Sequence, residues 1–239
     1  MLYFFVFLPT VIIIGFIVYY AINIYKYNKT SYRAITNNSY FDVMNDKGKL
    51  GEYEIYRSLK DYEKEGCRFL FNVYLPKTNG KTVELDVLMI SPVGVFVFES
   101  KNYSGWIFGN DNQKNWTQVL PTGIGESHKD HFYNPVWQNR THCCILKQYL
   151  PQDIVIHSVV LFSDRCTFKN VTVNANDVVV AHHCEVQEIV NSVVELNLLS
   201  KNEIEQIYDK LYPFSQVLEE VKQHHLEDAS LFNINKTQK

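Results

Sequence analysis

The chain has 239 residues, a formal net charge of -3 and five cysteines. That length holds one good-sized domain or two small ones with ample core. The charge excludes a global basic footprint for nucleic acid, so any such affinity must come from a local patch. The odd cysteine number, with no C-x-x-C spacing, argues against a disulfide framework or a zinc knuckle and suits a reducing compartment.

Leu2 to Tyr25 carries no charge and is dominated by Phe, Ile, Val and Leu. As a helix it is long enough to cross the roughly 30 Å of a bilayer's hydrocarbon. A cleaved signal peptide is the competing reading, but a basic leading segment, a shorter apolar run and a small-x-small site are not evident. Lys26, Lys29 and Arg33 follow the span. The positive-inside tendency then predicts a single-pass protein with its N-terminus outside and the rest of the chain cytoplasmic, touching lipid through residues 2–25. Residues 1–25 are thus expected as a transmembrane helix and 26–47 as a polar juxtamembrane linker. Residues 48–212 are expected as the folded domain and 213–239 as a helical and polar tail.

Between Gly48 and Lys64, Leu50, Tyr53, Ile55, Tyr56, Leu59 and Tyr62 recur at helical intervals. Glu52 shares roughly one face with Tyr53, Tyr56 and Leu59, so it can point inward; alternatively, Glu52 and Glu54 complement the helix dipole in its first turn. Arg68 to Leu75 reads as a strand and Pro76 to Lys81 as a turn.

Val83 to Asn102 is the stretch with most chemistry. Both halves are rich in β-branched and aromatic residues, and Ser91-Pro92-Val93-Gly94 between them predicts an antiparallel hairpin. In that register Ile90 faces Val95, Asp86 lies opposite Glu99 and Glu84 lies opposite Lys101, all four ionisable groups on one face. In an exposed hairpin these would be ordinary cross-strand pairs of roughly 0.2 to 1 kcal/mol. Asp86 and Glu99 would nevertheless repel, and two facing carboxylates suit a hard divalent cation, Mg2+ or Mn2+.

Beyond the hairpin, Ser104 to Ile107 predicts a short strand, with Trp106 and Trp116 as buried anchors. Asp111 to Gln113 and Pro121 to Lys129 read as loops, with His128 and His131 as solvated loop histidines. Asn134 to Leu150 predicts a helix with Pro135 in its first turn and a polar first half of Gln138, Arg140, Thr141 and His142. Ile154 to Phe162 reads as a central strand and Val178 to Ala181 as another. Cys166 to Asn176 reads as a loop with an edge strand at Val171 to Val173. Helices are expected near Glu185 to Glu195 and Lys201 to Leu211, the second opened by a capping box at Ser200 and Glu203.

Asp86 followed by Glu99-Ser100-Lys101 matches the D…(D/E)-x-K pattern of restriction-endonuclease-like nucleases. The surrounding motifs are more specific. Gly48-Lys49-Leu50-Gly51-Glu52 resembles the G-x-x-G-E helix start of the nuclease-related domain (NERD) family. Glu84-Leu85-Asp86, Gly94 to Gly105, Trp116 and Asn134-Pro135-Val136-Trp137-Gln138 are similar to its later landmarks, so the resemblance covers about Gly48 to Leu150.

The resemblance implies an α/β fold: a restriction-endonuclease-like mixed sheet flanked by helices, with an αβββαβ-type core. It further implies that Asp86, Glu99 and Glu52 form an acidic cluster for Mg2+ or Mn2+, that Lys101 orients or activates water, and that Gln138 acts from the following helix. Glu84 departs from the pattern and leaves open a second metal or a pair with Lys101. The expected function is phosphodiester hydrolysis on DNA, with RNA the second candidate. The competing reading is an inactive nuclease-like module that binds nucleic acid or protein at the membrane. A zinc site from His142, Cys143, Cys144, His182 and His183 ranks far behind, because adjacent ligands do not readily wrap one tetrahedral ion.

Overall fold

In the computed structural model, residues 2–123, 125–194 and 198–227 are described. Helix α1 spans Leu2–Asn28. Its stretch Thr10–Asn28 has a mean hydropathy of 1.5 and is long and apolar enough to cross a membrane. Residues 26–47, expected as a polar juxtamembrane linker with room for a short helix, hold two short helices, α2 (Ser31–Thr36) and α3 (Tyr40–Asn45). Thr30 caps the first, and Ser39 with Asp42 forms a capping box on the second. Tyr27, Tyr32, Ile35 and Val43 are buried in the main core, and the Tyr32 ring centroid lies 4.7 Å from that of Phe71. The polar letters of this segment hid the few aromatic anchors that dock it.

Helix α4 (Lys47–Leu59) is capped by Asp46 and buries Gly51, Glu52, Ile55, Tyr56 and Leu59. Strands β1 (Arg68–Pro76), β2 (Thr82–Ser91) and β3 (Gly94–Lys101) follow as an antiparallel meander. Ser91 Oγ donates to Gly94 O at 2.9 Å across the hairpin turn. Gly94 there has φ 120°, a backbone conformation that favours glycine. Strand β3 then pairs in parallel with β7 (Ile156–Phe162), which pairs in parallel with β9 (Val179–His182). The result is a five-stranded mixed sheet in the order β1-β2-β3-β7-β9. Helix α5 (Pro135–Leu146), with Pro135 at its first turn, bridges from the insert back to β7.

One sheet was expected; there are two. Strands β4 (Gly105–Asn110), β5 (Asn115–Pro121), β6 (Ser127–Tyr133) and β8 (Cys166–Thr172) form a second, four-stranded sheet in the order β6-β5-β4-β8. Pro121 and residues 127–129, expected as loop, and most of 166–176 are therefore extended, and His128 and His131 sit on a strand. Strand β6 is almost wholly exposed, so it has no apolar alternation to betray it, and its neighbour β5 supplies the pairing. One face of this sheet closes a satellite core of Ile107, Trp116, Val136, Val160 and Phe162. Trp116 is fully buried as expected, but Trp106 is 40% exposed and points the other way. Helices α6 (Val186–Ser192) and α7 (Lys201–Leu211) complete the main layer, and Ser200 with Glu203 makes the expected capping box. A further helical stretch covers 219–227. The helix expected over about Glu185 to Glu195 ends at Ser192 with Val193 as its C-cap, and the expectation for the tail beyond 227 lies outside the described residues.

Candidate functional site

The predicted hairpin register holds from Ser91↔Gly94 to Val87↔Phe98 and then stops. The pairings Asp86 with Glu99 and Glu84 with Lys101 are not made: β2 parts from β3 at this point, while β3 stays paired to β7 through Lys101↔Phe162. On its other side, β2 pairs with β1 except opposite Asp86, where Asn72 (φ 50°) interrupts the ladder. Asp86 thus occupies the place where the central strand is released from both neighbours. Its Oδ2 accepts the Ser100 amide at 2.8 Å, which takes the place of a ladder bond.

Glu99 and Lys101, two apart on β3, share a face. Lys101 Nζ donates to Glu99 Oε1 at 2.7 Å and to Gln138 Oε1 of α5 at 3.0 Å. One turn along α5, His142 Nδ1 lies 3.2 Å from Glu99 Oε2, too far off axis for a hydrogen bond, and both atoms are buried without another partner. Helix α5 is pinned above the strands by Asn139, whose Nδ2 reaches Val97 O, Ser158 Oγ and Val159 O within 3.0 to 3.2 Å. Asn139→Ala is expected to cost about 1–3 kcal/mol through the carbonyls it strands, read as a lowered urea midpoint.

Helix α4 brings the other carboxylate. Gly51 packs so closely on β3 that a Cβ there would collide with Ser100 Oγ and lie 3.1 Å from Asn102 Cβ. Glycine is therefore required for the approach that sets Glu52, the next residue, against the sheet. Glu52 is 7% exposed, and Tyr32 donates to its Oε2 at 3.2 Å. The inward orientation wins over the simple dipole role. Gly51→Val is expected to displace α4 and lower thermal stability by several degrees, measured by circular dichroism. Glu84 does not meet Lys101. It accepts from Tyr74 OH at 2.5 Å and from Asn72 Nδ2 at 3.3 Å, and His225 of the 219–227 helix approaches it at 3.8 Å.

These carboxyls fall into two electrostatic classes. Burial raises Asp86 well above the ordinary range, helped by the negative fields of Glu99 and Glu52, which outweigh Lys101 and the Ser100 amide. Burial and Glu84 push Glu52 up to about 8. Burial also works against ionised Glu99, but Lys101 and His142 outweigh it and bring Glu99 down to about 2. Burial works against the Lys101 ammonium, but Glu99, Tyr103 and Asp86 together outweigh it, so it remains a firm ammonium.

More carboxyl groups converge here than Lys101 pairs with, and Glu99 retains an unpartnered buried oxygen. Both observations suit a cation. Among the described residues no group of three or more His, Cys, Asp and Glu converges on one metal position. Asp86 and Glu99 are the available donors, whereas Glu52 is engaged by Tyr32 and lies near as a charge. Two carboxylates completed by water fit Mg2+, which keeps much of its hydration and demands few protein ligands. The distant zinc alternative is not assembled: His142 faces Glu99, His182 approaches Glu185 at 3.4 Å and His183 approaches Glu54 at 3.6 Å.

Sequence reasoning missed Asn72, the Ser100 amide and the pairing of His142 with Glu99. Only the last left a signal, since Gln138 and His142 stand four apart and must share a helical face. The string from Asn134 proves partly architectural: Asn134 caps α5 through Val136 N, holds Asn110 O and Gln113 O, and Trp137 Nε1 donates to Asp111 O.

Carboxylates and an ammonium gathered where two strands part, with a mixed sheet behind them and helices flanking it, are consistent with a nuclease-like α/β protein. Residues 47–163 match the family model of the nuclease-related domain. The match includes Glu52, Asp86, Glu99, Lys101 and Gln138. The chain is also 29% identical over 180 residues to an uncharacterized protein of Bacillus anthracis, covering 75% of this chain and 82% of the relative. No solved structure matches significantly.

Proposed function

We propose that the chain is a membrane-anchored, divalent-metal-dependent nuclease that hydrolyses phosphodiester bonds of DNA, with RNA as second candidate. What carries the reading is the splayed end of the hairpin, where Asp86 and Glu99 stand beside an ammonium fixed by Glu99 and Gln138. Asp86 and Glu99 would hold Mg2+ or Mn2+. A cation there would polarise a phosphoryl oxygen and acidify water.

The protein's own groups define the rest. Two of the three Lys101 donor directions are spent on Glu99 and Gln138. The third can meet a non-bridging phosphate oxygen or the attacking water. Because Lys101 is held charged, its part is to position water and stabilise developing negative charge, and not to abstract a proton. His142 Nδ1 stands 3.2 Å behind Glu99 Oε2, and Glu52 adds to the negative field felt by Asp86.

Helix α1 supplies the anchor in this reading, and the lysines and arginine that follow it favour a cytoplasmic catalytic domain. Full-length protein in detergent should cleave plasmid or single-stranded DNA with Mg2+ and lose that activity in EDTA. Absence of cleavage by soundly folded protein across Mg2+ and Mn2+ on DNA and RNA would favour the inactive binding module instead.

A further inference from the structure

The second sheet has an outer face that the site's chemistry does not use. Trp106 and Phe108 on β4 point away from the satellite core. Their cross-strand partners are Val119 and Thr117, which in turn pair with Lys129 and His131 on β6. Directly paired residues project to the same side of a sheet, so these rows form one outward face. Lys169 of β8 joins it, with Nζ 5.3 Å from the Trp106 ring centroid.

Trp106 is 40% exposed, Lys129, His131 and Lys169 are exposed, and Phe108 is partly so. None of the residues just named as forming this face is a carboxylate. Neither Lys129 nor Lys169 has an ion-pair partner among the described residues. In a chain of net charge -3 this is a local reversal of sign built around an exposed indole. Only residues 102–104 separate the end of β3 at Lys101 from the start of β4 at Gly105.

Resting on the nuclease reading, we propose that the outer face of the second sheet is a platform for single-stranded nucleic acid, with Trp106 stacking an unpaired base and Lys129 and Lys169 meeting the flanking phosphates. An exposed ring on a flat sheet offers its surface to a base whose own face is free. A duplex hides those faces within its stack, so the platform selects single strands or frayed ends. Positive side chains beside the ring complement the backbone, whereas a protein partner of mixed charge would find no acidic counterpart on this face.

The test uses full-length protein in detergent, with EDTA present so that binding is separated from cleavage. Anisotropy of a fluorescein-labelled single-stranded oligonucleotide is titrated with wild type, Trp106→Ala and the double variant Lys129→Glu with Lys169→Glu. Thermal melts establish that each variant is folded. Trp106→Ala should weaken single-strand binding about tenfold or more and leave duplex binding little changed. The double variant should weaken it further and flatten its salt dependence.

Single-strand affinity equal to wild type in folded Trp106→Ala would overturn the platform. So would a wild type that cuts duplex with Mg2+ yet binds no single strand, a result that leaves the nuclease reading intact. Single-strand binding sensitive to Trp106 in a protein that never cleaves would keep the platform and remove the hydrolase. Self-association by light scattering that disappears in Trp106→Ala would assign the face to a second copy and overturn the proposal.

Discussion

Replacing Lys101 with methionine should reduce Mg2+-dependent DNA cleavage by roughly 100- to 1000-fold while leaving the protein folded. The methionine keeps the length of the aliphatic stem and removes the charge that faces Glu99 Oε1 and Gln138 Oε1. Since Lys101 stays protonated, the loss should appear in kcat and persist across the pH range, because no proton acceptor has been deleted. Asp86→Asn should lose as much, but through the cation: the amide still fits the gap between the strands and still offers an oxygen to the Ser100 amide. Raising the Mn2+ concentration should recover part of the Asp86→Asn loss and none of the Lys101→Met loss. Cleavage assays on plasmid with both variants, next to thermal melts, read this out. Undiminished cutting by both would remove the assigned site.

The second large effect is on stability. Burial, then Glu84, lifts Glu52 from an ordinary 4.5 to about 8, and burial with Glu99 and Glu52 lifts Asp86 in the same direction. A carboxyl whose pKa rises on folding stabilises the folded state below its unfolded pKa and loses that contribution as pH climbs through the folded value. Without divalent cation, stability should therefore fall between about pH 5 and pH 9. Several kcal/mol are at stake, equivalent to a drop on the order of 10 °C in melting temperature. Glu52→Gln should flatten the slope, because glutamine keeps an acceptor for Tyr32 OH and never ionises. Mg2+ should restore the loss at high pH, since a cation neutralises the same cluster. Glu99 acts in the opposite sense: it is held near 2, so its contribution is present at neutral pH and is lost only in strong acid. A melting temperature that rises from pH 5 to pH 9 in EDTA would contradict this electrostatic picture.

The meander could be read from its letters because period-two apolar runs and a Ser-Pro-Val-Gly turn specify strands and register locally, and Val87 to Ser91 against Gly94 to Phe98 follows that pattern. Ionisable residues on the same stretch do not announce where a ladder ends. That depends on Asn72 across one edge and the Ser100 amide across the other, both properties of the folded backbone. Glu52 was ambiguous for a similar reason: its inward orientation follows from the close packing of Gly51 on Ser100 and Asn102, a contact between segments far apart in sequence. The second sheet escaped notice because β6 buries almost nothing, and the docking of residues 26–47 escaped because Tyr27, Tyr32 and Val43 are scattered among polar neighbours.

In the proposed reading, the parted strands hold a hard cation between Asp86 and Glu99. Mn2+ binding followed by electron paramagnetic resonance, on full-length wild type and Asp86→Asn, addresses it without relying on any cleavage. Saturable binding by the wild type that Mg2+ competes away and that Asp86→Asn lacks is the predicted result. Equal Mn2+ binding by the two proteins, or none by a folded wild type, would contradict it.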